Sequence, residues 1–394
     1  MKPYMARKLP FEKEIDYNRI AKKLIAASSS VSKLDGMLEE ENISRELFIN
    51  PLTKKEAVLS SQIEGTQATL TEILELEADE GKTDSKNKYD DFIEITNYNK
   101  AIEYAENEVL DKGKISLWLL RNIHKLLLNG ARGKDKNPGE FRNEQNWIGK
   151  PGSTIENASF VPVPQENLTE YLENLENYIN DFEEQSELIQ AAIIHVQFEK
   201  IHPFKDGNGR IGRMLIPLFL YYKGILSRPI LYISEYFEEN RDEYYDKLNA
   251  VSESTEGWLE WIEFFLNAVE TQANRNIEKF KKLQNLYGEY KGIISEILNT
   301  KNSIYVVDAL FKIPVFKSTK LHEEISKSID IDIGTVNRYI RKLVEAGVIV
   351  PEEGKDRYIK YYFKKLLDLI QWNKTHLWTL FIDKKQKKQK MHLI

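Results

Sequence analysis

The chain has 394 residues, is 41% hydrophobic and 30% charged, and contains no cysteine, a composition that excludes disulfides, thiolate metal sites and wholesale disorder. Its formal net charge of −6 is uneven: residues 301–370 carry 13 Lys/Arg against 10 Asp/Glu, and residues 371–394 carry 6 against 1. The only basic balance that would suit nucleic acid therefore lies at the C-terminal end. Residues 1–8 lack the apolar core of a signal peptide, and no window approaches the ~18 apolar residues of a membrane span. The expectation is a cytoplasmic protein of two or three domains, with no membrane partner.

Apolar residues recur at spacings of three and four over 20–38, 54–61, 69–77, 88–109, 116–128, 166–185 and 186–198, which predicts helices there. Ser116 suits an N-cap, and Asn129-Gly130 ends the helix it starts. Residues 132–164 break the rhythm. They are rich in Gly, Pro, Asn and Ser, with extended pieces at Trp147-Ile148 and Ser159-Phe160-Val161. Pro162 and Pro164 bias their predecessors toward extended backbone, so a small hairpin flap is expected. The apolar run Met214–Tyr222 reads as a buried helix. Boundaries are expected to give a helical N-terminal region (1–90), a central helical domain (91–285), a third module (286–372) and a basic tail (373–394).

The third module has helical patterns at 292–298, 318–328 and 333–346, then strands at 347–351 and 358–363, the order of a winged helix. Val336, Ile340, Leu343 and Val344 form the apolar face of the last helix, leaving Asn337, Arg338, Arg341 and Lys342 outside. A recognition helix for the DNA major groove has this pattern, and so does any exposed face of a docking or dimerisation module. The lysines between 384 and 390 read as a solvated tail.

The richest segment runs from His202 to Arg213, with the sequence HPFKDGNGRIGR. Gly207-Asn208-Gly209 can take positive φ cheaply, turning successive N–H groups into one concavity. A helix beginning near Gly209 or Arg210 would add its N-terminal potential for anions. Arg210 and Arg213, three apart, project from one face, and forked guanidiniums suit phosphates. Asp206 could hold Mg²⁺ shared with phosphate oxygens, and His202 could take a proton near neutral pH. Gly-Asn-Gly alone reads first as a plain turn. The full set describes a base beside a metal–phosphate cradle, suited to attack by a hydroxyl on a phosphoryl centre.

At every fixed position this string resembles the Fic-domain signature His-x-Phe-x-Asp/Glu-Gly-Asn-Gly-Arg-x-x-Arg. Residues 195–201, 138–142 and 148–149 resemble its surroundings. The resemblance implies a mainly α fold: a helical Fic domain with a small β-hairpin flap, followed by the winged helix. It implies AMPylation, the transfer of AMP from ATP to a Ser, Thr or Tyr hydroxyl of a target protein or of the chain itself, with release of pyrophosphate. On that likeness His202 is the base and Asp206 the Mg²⁺ ligand. Lys205, Gly207, Asn208, Gly209, Arg210 and Arg213 belong to the phosphate-binding set. Gly209 favours nucleotidyl transfer, because kinase-type relatives carry a bulkier residue there. Phe160, Val161 and Pro162 are the flap that lines up the target by β-augmentation. Asn240 is expected near the adenine, while Tyr236 and Phe237 read equally as core aromatics.

Ser60, Glu64 and Gly65 fit the inhibitory pattern Ser/Thr-x-x-x-Glu-Gly/Asn of many Fic proteins. Glu64 paired with Arg213 would occupy the guanidinium meant for the γ-phosphate, and it could also position a water for removing AMP. Two readings compete with the autoinhibited transferase. One is a winged-helix DNA-binding regulator whose Fic body senses ATP, against which His202 argues, since a sensor needs no base. The other is a Fic enzyme using another donor such as UTP. A homodimer is left open.

Overall fold

A computed structural model describes residues 2–10, 15–39, 45–133, 135–149, 152–182, 186–252 and 254–371. The chain divides into two compact units, 1–76 with 80–278, and 77–79 with 279–394. Among the described residues no helix is long and apolar enough to cross a membrane.

The first unit is built on two buried helices. Thirteen of the fifteen residues of α7 (Glu187–Ile201) and thirteen of the fifteen of α8 (Asn208–Tyr222) are buried. A helix apolar on all sides must sit inside others. Around this pair stand α1 (Tyr17–Glu39), α2 (Arg45–Ile63), α3 (Leu70–Ala78), α4 (Lys86–Lys112), α5 (Leu117–Leu127), α6 (Leu168–Asp181), α9 (Ser234–Glu239), α10 (Arg241–Ala250) and the start of α11 (Thr255–Leu298). Local chemistry sets the ends. Ser85 accepts from Lys88 N–H and Gly113 closes α4 in the left-handed region, while Ser116 caps α5 by accepting from Leu119 N–H, as its sequence predicts. Trp261 of α11 is fully buried among His195, Phe237, Tyr244 and Phe265, and its indole N–H donates to Ala192 O at 2.9 Å.

The second unit contains the end of α11, then α12 (Ser303–Lys312), β1 (Val315–Phe316), α13 (Ser318–Ser326), α14 (Ile333–Glu345), β2 (Val350–Pro351), β3 (Tyr361–Tyr362) and α15 (Lys364–Gln371). Its antiparallel sheet has the order β1-β3-β2, with Val315 and Val350 both registered on Tyr362. Phe311, Phe363 and Tyr290 interlock edge-on beneath it. Asp332 caps α14 by accepting from Thr335 N–H at 2.9 Å. Val336, Ile340 and Leu343 are buried and Asn337, Arg338, Arg341 and Lys342 exposed, as their spacing predicts, whereas Val344 is only half-buried and Tyr339 joins the buried face.

Several elements differ from expectation. α2 begins nine residues before the predicted start at 54 and passes through Pro51, which reads as a break in sequence although a helix can absorb it at a cost. The helix predicted at 292–298 is the end of the 44-residue α11, so the expected boundary at 285/286 falls inside it. Gly288 and Gly292 look like interruptions, yet each faces open space. Burial of Leu283, Tyr290, Ile294 and Leu298 outweighs their propensity cost. α12 and β1 are additional to the predicted order, and the wing has three strands of two residues each. Among the described residues the flap contains a single antiparallel bridge, Ile148↔Phe160. The predicted tail (373–394), and the end of the helix predicted to Gln185, lie outside the described residues. Trp261→Ala should cost about 3–5 kcal/mol, measurable as a lowered urea midpoint at unchanged m-value.

Candidate active site

α7 ends at Ile201, and His202 takes φ 50°, ψ 62°, the left-handed region that is costly for a non-glycine residue. Its N–H closes on Phe198 O at 2.9 Å, and its carbonyl accepts from Arg142 Nε at 3.1 Å and Asn146 Nδ2 at 3.4 Å. His202 Nδ1 faces the Glu199 carbonyl at 3.3 Å. A carbonyl can only accept, so Nδ1 carries the hydrogen and Nε2 keeps its lone pair. Burial pushes this imidazole down to about 4, with Arg142 adding to the effect and Glu64 opposing it. The ring is therefore neutral across the physiological range.

The next residues form a braced loop. Gly207 has φ 78° and caps α8. The Asn208 side chain accepts from Phe204 N–H at 2.9 Å and donates to Phe204 O at 2.8 Å, so its amide fixes the loop. Asp206 Oδ1 accepts from Gly207 N–H at 2.6 Å and Arg210 Nη2 at 3.4 Å, and its side chain is 42% exposed. A Cβ on Gly133 would lie 2.8 Å from Asp206 Oδ2, so this glycine keeps that oxygen uncovered. Lys205 pairs with Glu144 at 2.7 Å. His124, absent from the sequence-based set, stacks on Phe204 at 3.9 Å, donates from Nε2 to Asp206 O and accepts Gly139 N–H at Nδ1. Burial pushes it to about 4, so it acts here as a neutral strut.

Arg210 and Arg213 lie in different surroundings. The Arg210 side chain is 4% exposed, with Nη2 toward Asp206 and Nη1 3.7 Å from Glu94. Its Nε and Nη1 are buried without a hydrogen-bond acceptor among the described residues. Glu94 also takes Arg132 at 3.1 Å and the Thr66 hydroxyl at 3.1 Å. Arg213 is well supplied: Nε donates to Ser60 Oγ at 3.0 Å, and Nη2 donates to Ser60 O at 2.8 Å and Glu64 Oε1 at 2.7 Å. Burial disfavours the Glu64 carboxylate, but the Arg213 guanidinium outweighs this and holds its carboxyl below the usual range. Glu199, beside Gly212, is pushed up to about 8 by burial, with Arg213 opposing.

Glu64 follows directly on α2. That helix is pinned by Lys55–Glu235 at 2.8 Å, with both side chains almost wholly buried, and by the Ser234 hydroxyl donating to Glu56 at 2.5 Å. Thr66 N–H returns to Ser61 O, while Arg241 and Tyr245 cap the carbonyls of Gln62 and Ile63. Ser60 and Glu64 thus meet the His202–Arg213 segment, while Gly65, at φ 100°, returns its N–H to Gln62 O at 2.9 Å. A Cβ on Gly209 would stand 2.1 Å from Glu64 Oε1. Gly209→Ala should force the carboxylate aside at a cost of about 1–3 kcal/mol, read by chemical denaturation.

The flap joins at Ile148 N–H to Phe160 O (2.8 Å) and Phe160 N–H to Ile148 O (3.1 Å). Val161 and Pro162 are buried and Phe160 is half-buried beneath Lys200, whose Nζ is 4.0 Å from the ring centroid. Among the described residues of the flap, the exposed large apolar side chains are Trp147 and Ile148. Tyr4 N–H donates to Val161 O at 2.9 Å, so residues near the N-terminus line the second edge of this strand. Asn240 caps the junction of α9 and α10, with its amide on Tyr236 O at 2.8 Å. Phe237 is a core aromatic and Tyr236 is half-buried.

Residues 114–220 match the Fic/DOC family, residues 21–107 the Fic/DOC family N-terminal domain, and residues 322–350 the winged helix-turn-helix DNA-binding module. The chain is a Fic-domain protein with a C-terminal winged helix. Among its relatives, a probable protein adenylyltransferase of Aquifex aeolicus is 26% identical over 320 residues, covering 79% of this chain and 86% of that protein. The protein adenylyltransferase Fic of Culex quinquefasciatus is 28% identical over 60% of this chain and 43% of its own length. Protein adenylyltransferase fic-1 of Caenorhabditis elegans is 28% identical over 40% and 29%. The chain thus spans less than half of these animal relatives. A crystal structure of a Fic family protein from Desulfovibrio desulfuricans G20 shares the fold at TM-score 0.54 and 19% identity, covering 92% of this chain and 98% of that one. Fic-1 from C. elegans does so at TM-score 0.53 and 20% identity, covering 67% and 75%.

Proposed function

We propose that the chain is a protein adenylyltransferase that moves AMP from ATP to a Ser, Thr or Tyr hydroxyl of a target protein, and of itself, and that Glu64 restrains it. The observation that carries this reading is the pairing of a neutral His202, its Nε2 lone pair open, with a buried Arg210 whose Nε and Nη1 lack acceptors among the described residues. Asp206 and Glu94 already neighbour this guanidinium, and its remaining N–H groups can donate to a phosphate oxygen. In the reaction His202 Nε2 takes the hydroxyl proton as the oxygen attacks the α-phosphorus, and pyrophosphate departs. Arg210, Arg213 and the N-terminus of α8 with Gly207, Asn208 and Gly209 hold phosphate oxygens, with Lys205 at the rim.

Among the described residues no cluster of three or more His, Asp or Glu could hold a metal. Asp206, partly exposed and with Oδ2 uncovered beside Gly133, fits an ion bound by one carboxylate, water and phosphate. Mg²⁺ held there would neutralise phosphate charge.

Glu64 restrains the site by competing with a phosphate for Arg213. Displacing it costs about 1–3 kcal/mol, or roughly 5–150-fold in turnover. Glu64→Gly should raise incorporation of α-labelled ATP into the chain by about tenfold or more, and His202→Ala should abolish it. Equal incorporation in wild type and Glu64→Gly would refute the restraint. Running the same assay with UTP decides the donor.

Protonation would remove the base, and burial holds His202 near 4. The rate should therefore stay level as pH falls from about 8 to 6, where an ordinary histidine of pKa about 6.5 would already be failing. Its acid limb should lie near pH 4 in single-turnover measurements.

For the second unit we propose duplex DNA as a partner, because α14 exposes Asn337, Arg338, Arg341 and Lys342 on one face. The full chain carrying Arg338→Ala and Arg341→Ala should lose gel-shift affinity, and its salt slope should fall by about 1 for each phosphate no longer neutralised. Wild type that shifts no duplex at low salt would overturn this reading.

A further inference from the structure

Arg142 is a buried cation with a singular set of partners. It is 2% exposed, and among the described residues it forms no ion pair, Glu166 acting on its charge only from a distance. Its guanidinium instead reaches four backbone carbonyls. Nη1 donates to Glu144 O at 3.3 Å and Nη2 to Val163 O at 2.5 Å, the two roots of the flap. Nη2 also reaches Ile201 O at 3.4 Å, and Nε donates to His202 O at 3.1 Å. Its own N–H donates to Pro203 O at 2.8 Å. Three successive carbonyls of the left-handed turn are thus tied to both flap roots through one residue.

Taking a guanidinium out of water costs several kcal/mol, and a well-packed apolar side chain would fill the same volume more cheaply. An apolar residue could donate to none of these carbonyls: His202 O would keep only Asn146 Nδ2 at 3.4 Å and Val163 O only Gln145 Nε2 at 3.5 Å, weaker support for a His202 held at φ 50°. We infer that Arg142 is a positioning residue that couples the flap to the His202 turn, so that a target strand seated on the flap and the aim of the base are set together. This rests on the transferase reading of the same site. The coupling acts through backbone carbonyls: Arg142 orients the histidine without touching its ring. Burial brings Arg142 down to about 10, so it remains charged at neutral pH, and its charge adds to the burial that keeps His202 neutral.

The test uses the full chain in the Glu64→Gly background, with Arg142→Met, which keeps length but no donor, and Arg142→Lys, which keeps charge and part of the donor set. Three quantities are read: single-turnover self-incorporation at saturating α-labelled ATP, the calorimetric Kd of ATP, and the nitrogen NMR signature of the His202 ring. Arg142→Met should slow transfer by about 100-fold, the scale of a misplaced general base, leave ATP affinity within about threefold of the parent, and mix the two ring tautomers. Arg142→Lys should recover part of the rate. Transfer at the parental rate in Arg142→Met would overturn the inference. So would losses of rate and ATP affinity in equal measure, with no recovery in Arg142→Lys, since that is the pattern of general destabilisation. If Arg142→Met fails to fold, Arg142→Lys decides: a slower rate at unchanged Kd supports the coupling, and an unchanged rate refutes it. A parent that incorporates no label overturns the transferase reading alone, because the His202 tautomer still reports on Arg142.

Discussion

The geometry of the site depends on the left-handed turn at His202, which joins two helices that have no solvent-facing side. Because α7 and α8 are both buried almost throughout, neither can roll or slide without opening the core. The residues between them are therefore held at both ends. A non-glycine residue in this region stores strain that its surroundings must offset. Arg142, Asn146 and the Phe198 carbonyl do so through their hydrogen bonds. The resulting ring has one tautomer and one open nitrogen, which is what a base requires before any substrate arrives.

The electrostatics follow from the same burial. Arg210 and Arg213 leave one turn of α8 in similar directions but meet opposite conditions. Arg213 finds its acceptors on α2 and at Glu64, while Arg210 is left with unmet hydrogen-bonding capacity among the described residues. Both guanidiniums have carboxylates beside them, but Arg213 is hydrogen-bonded through Nε and Nη2, whereas Arg210 has only Nη2 so engaged. α2 delivers Glu64 accurately because its flank is riveted by Lys55–Glu235 and Glu56–Ser234, so the Glu64–Arg213 pairing belongs to the folded core.

Much of this is legible in the chain. The His202–Arg213 string and the Ser60–Glu64–Gly65 pattern are contiguous, and the residue types name their own chemistry. Helices with one apolar face, such as α5 and α14, can be placed from periodicity and capping. The rest depends on groups distant in sequence. Arg142 lies in a stretch, 138–142, that resembles the Fic surroundings, but its part in the site emerges only when carbonyls from distant segments converge on it, as that of His124 does only when Asp206 O and Gly139 N–H reach its ring. Glu94 reads as one acidic residue among many on α4, and its value comes only from facing Arg210 and Arg132. The flap is less open than its sequence suggests. Val161 and Pro162 look available in a polar loop, but residues near the N-terminus cover that strand edge and their side chains turn inward. The length of α11 is obscured by glycines that cost it little.

The close approach at Gly209 has an evolutionary corollary. The space a Cβ would fill there is already taken by the Glu64 carboxylate and the Arg213 guanidinium, so positions 64 and 209 share one volume. Across homologous sequences the two should covary. A lineage that loses the acid at 64 is freed to explore larger residues at 209, and with them different shapes for the space above the N-terminus of α8. A lineage that keeps the acid is held to glycine, and its chemistry is conserved for a steric reason.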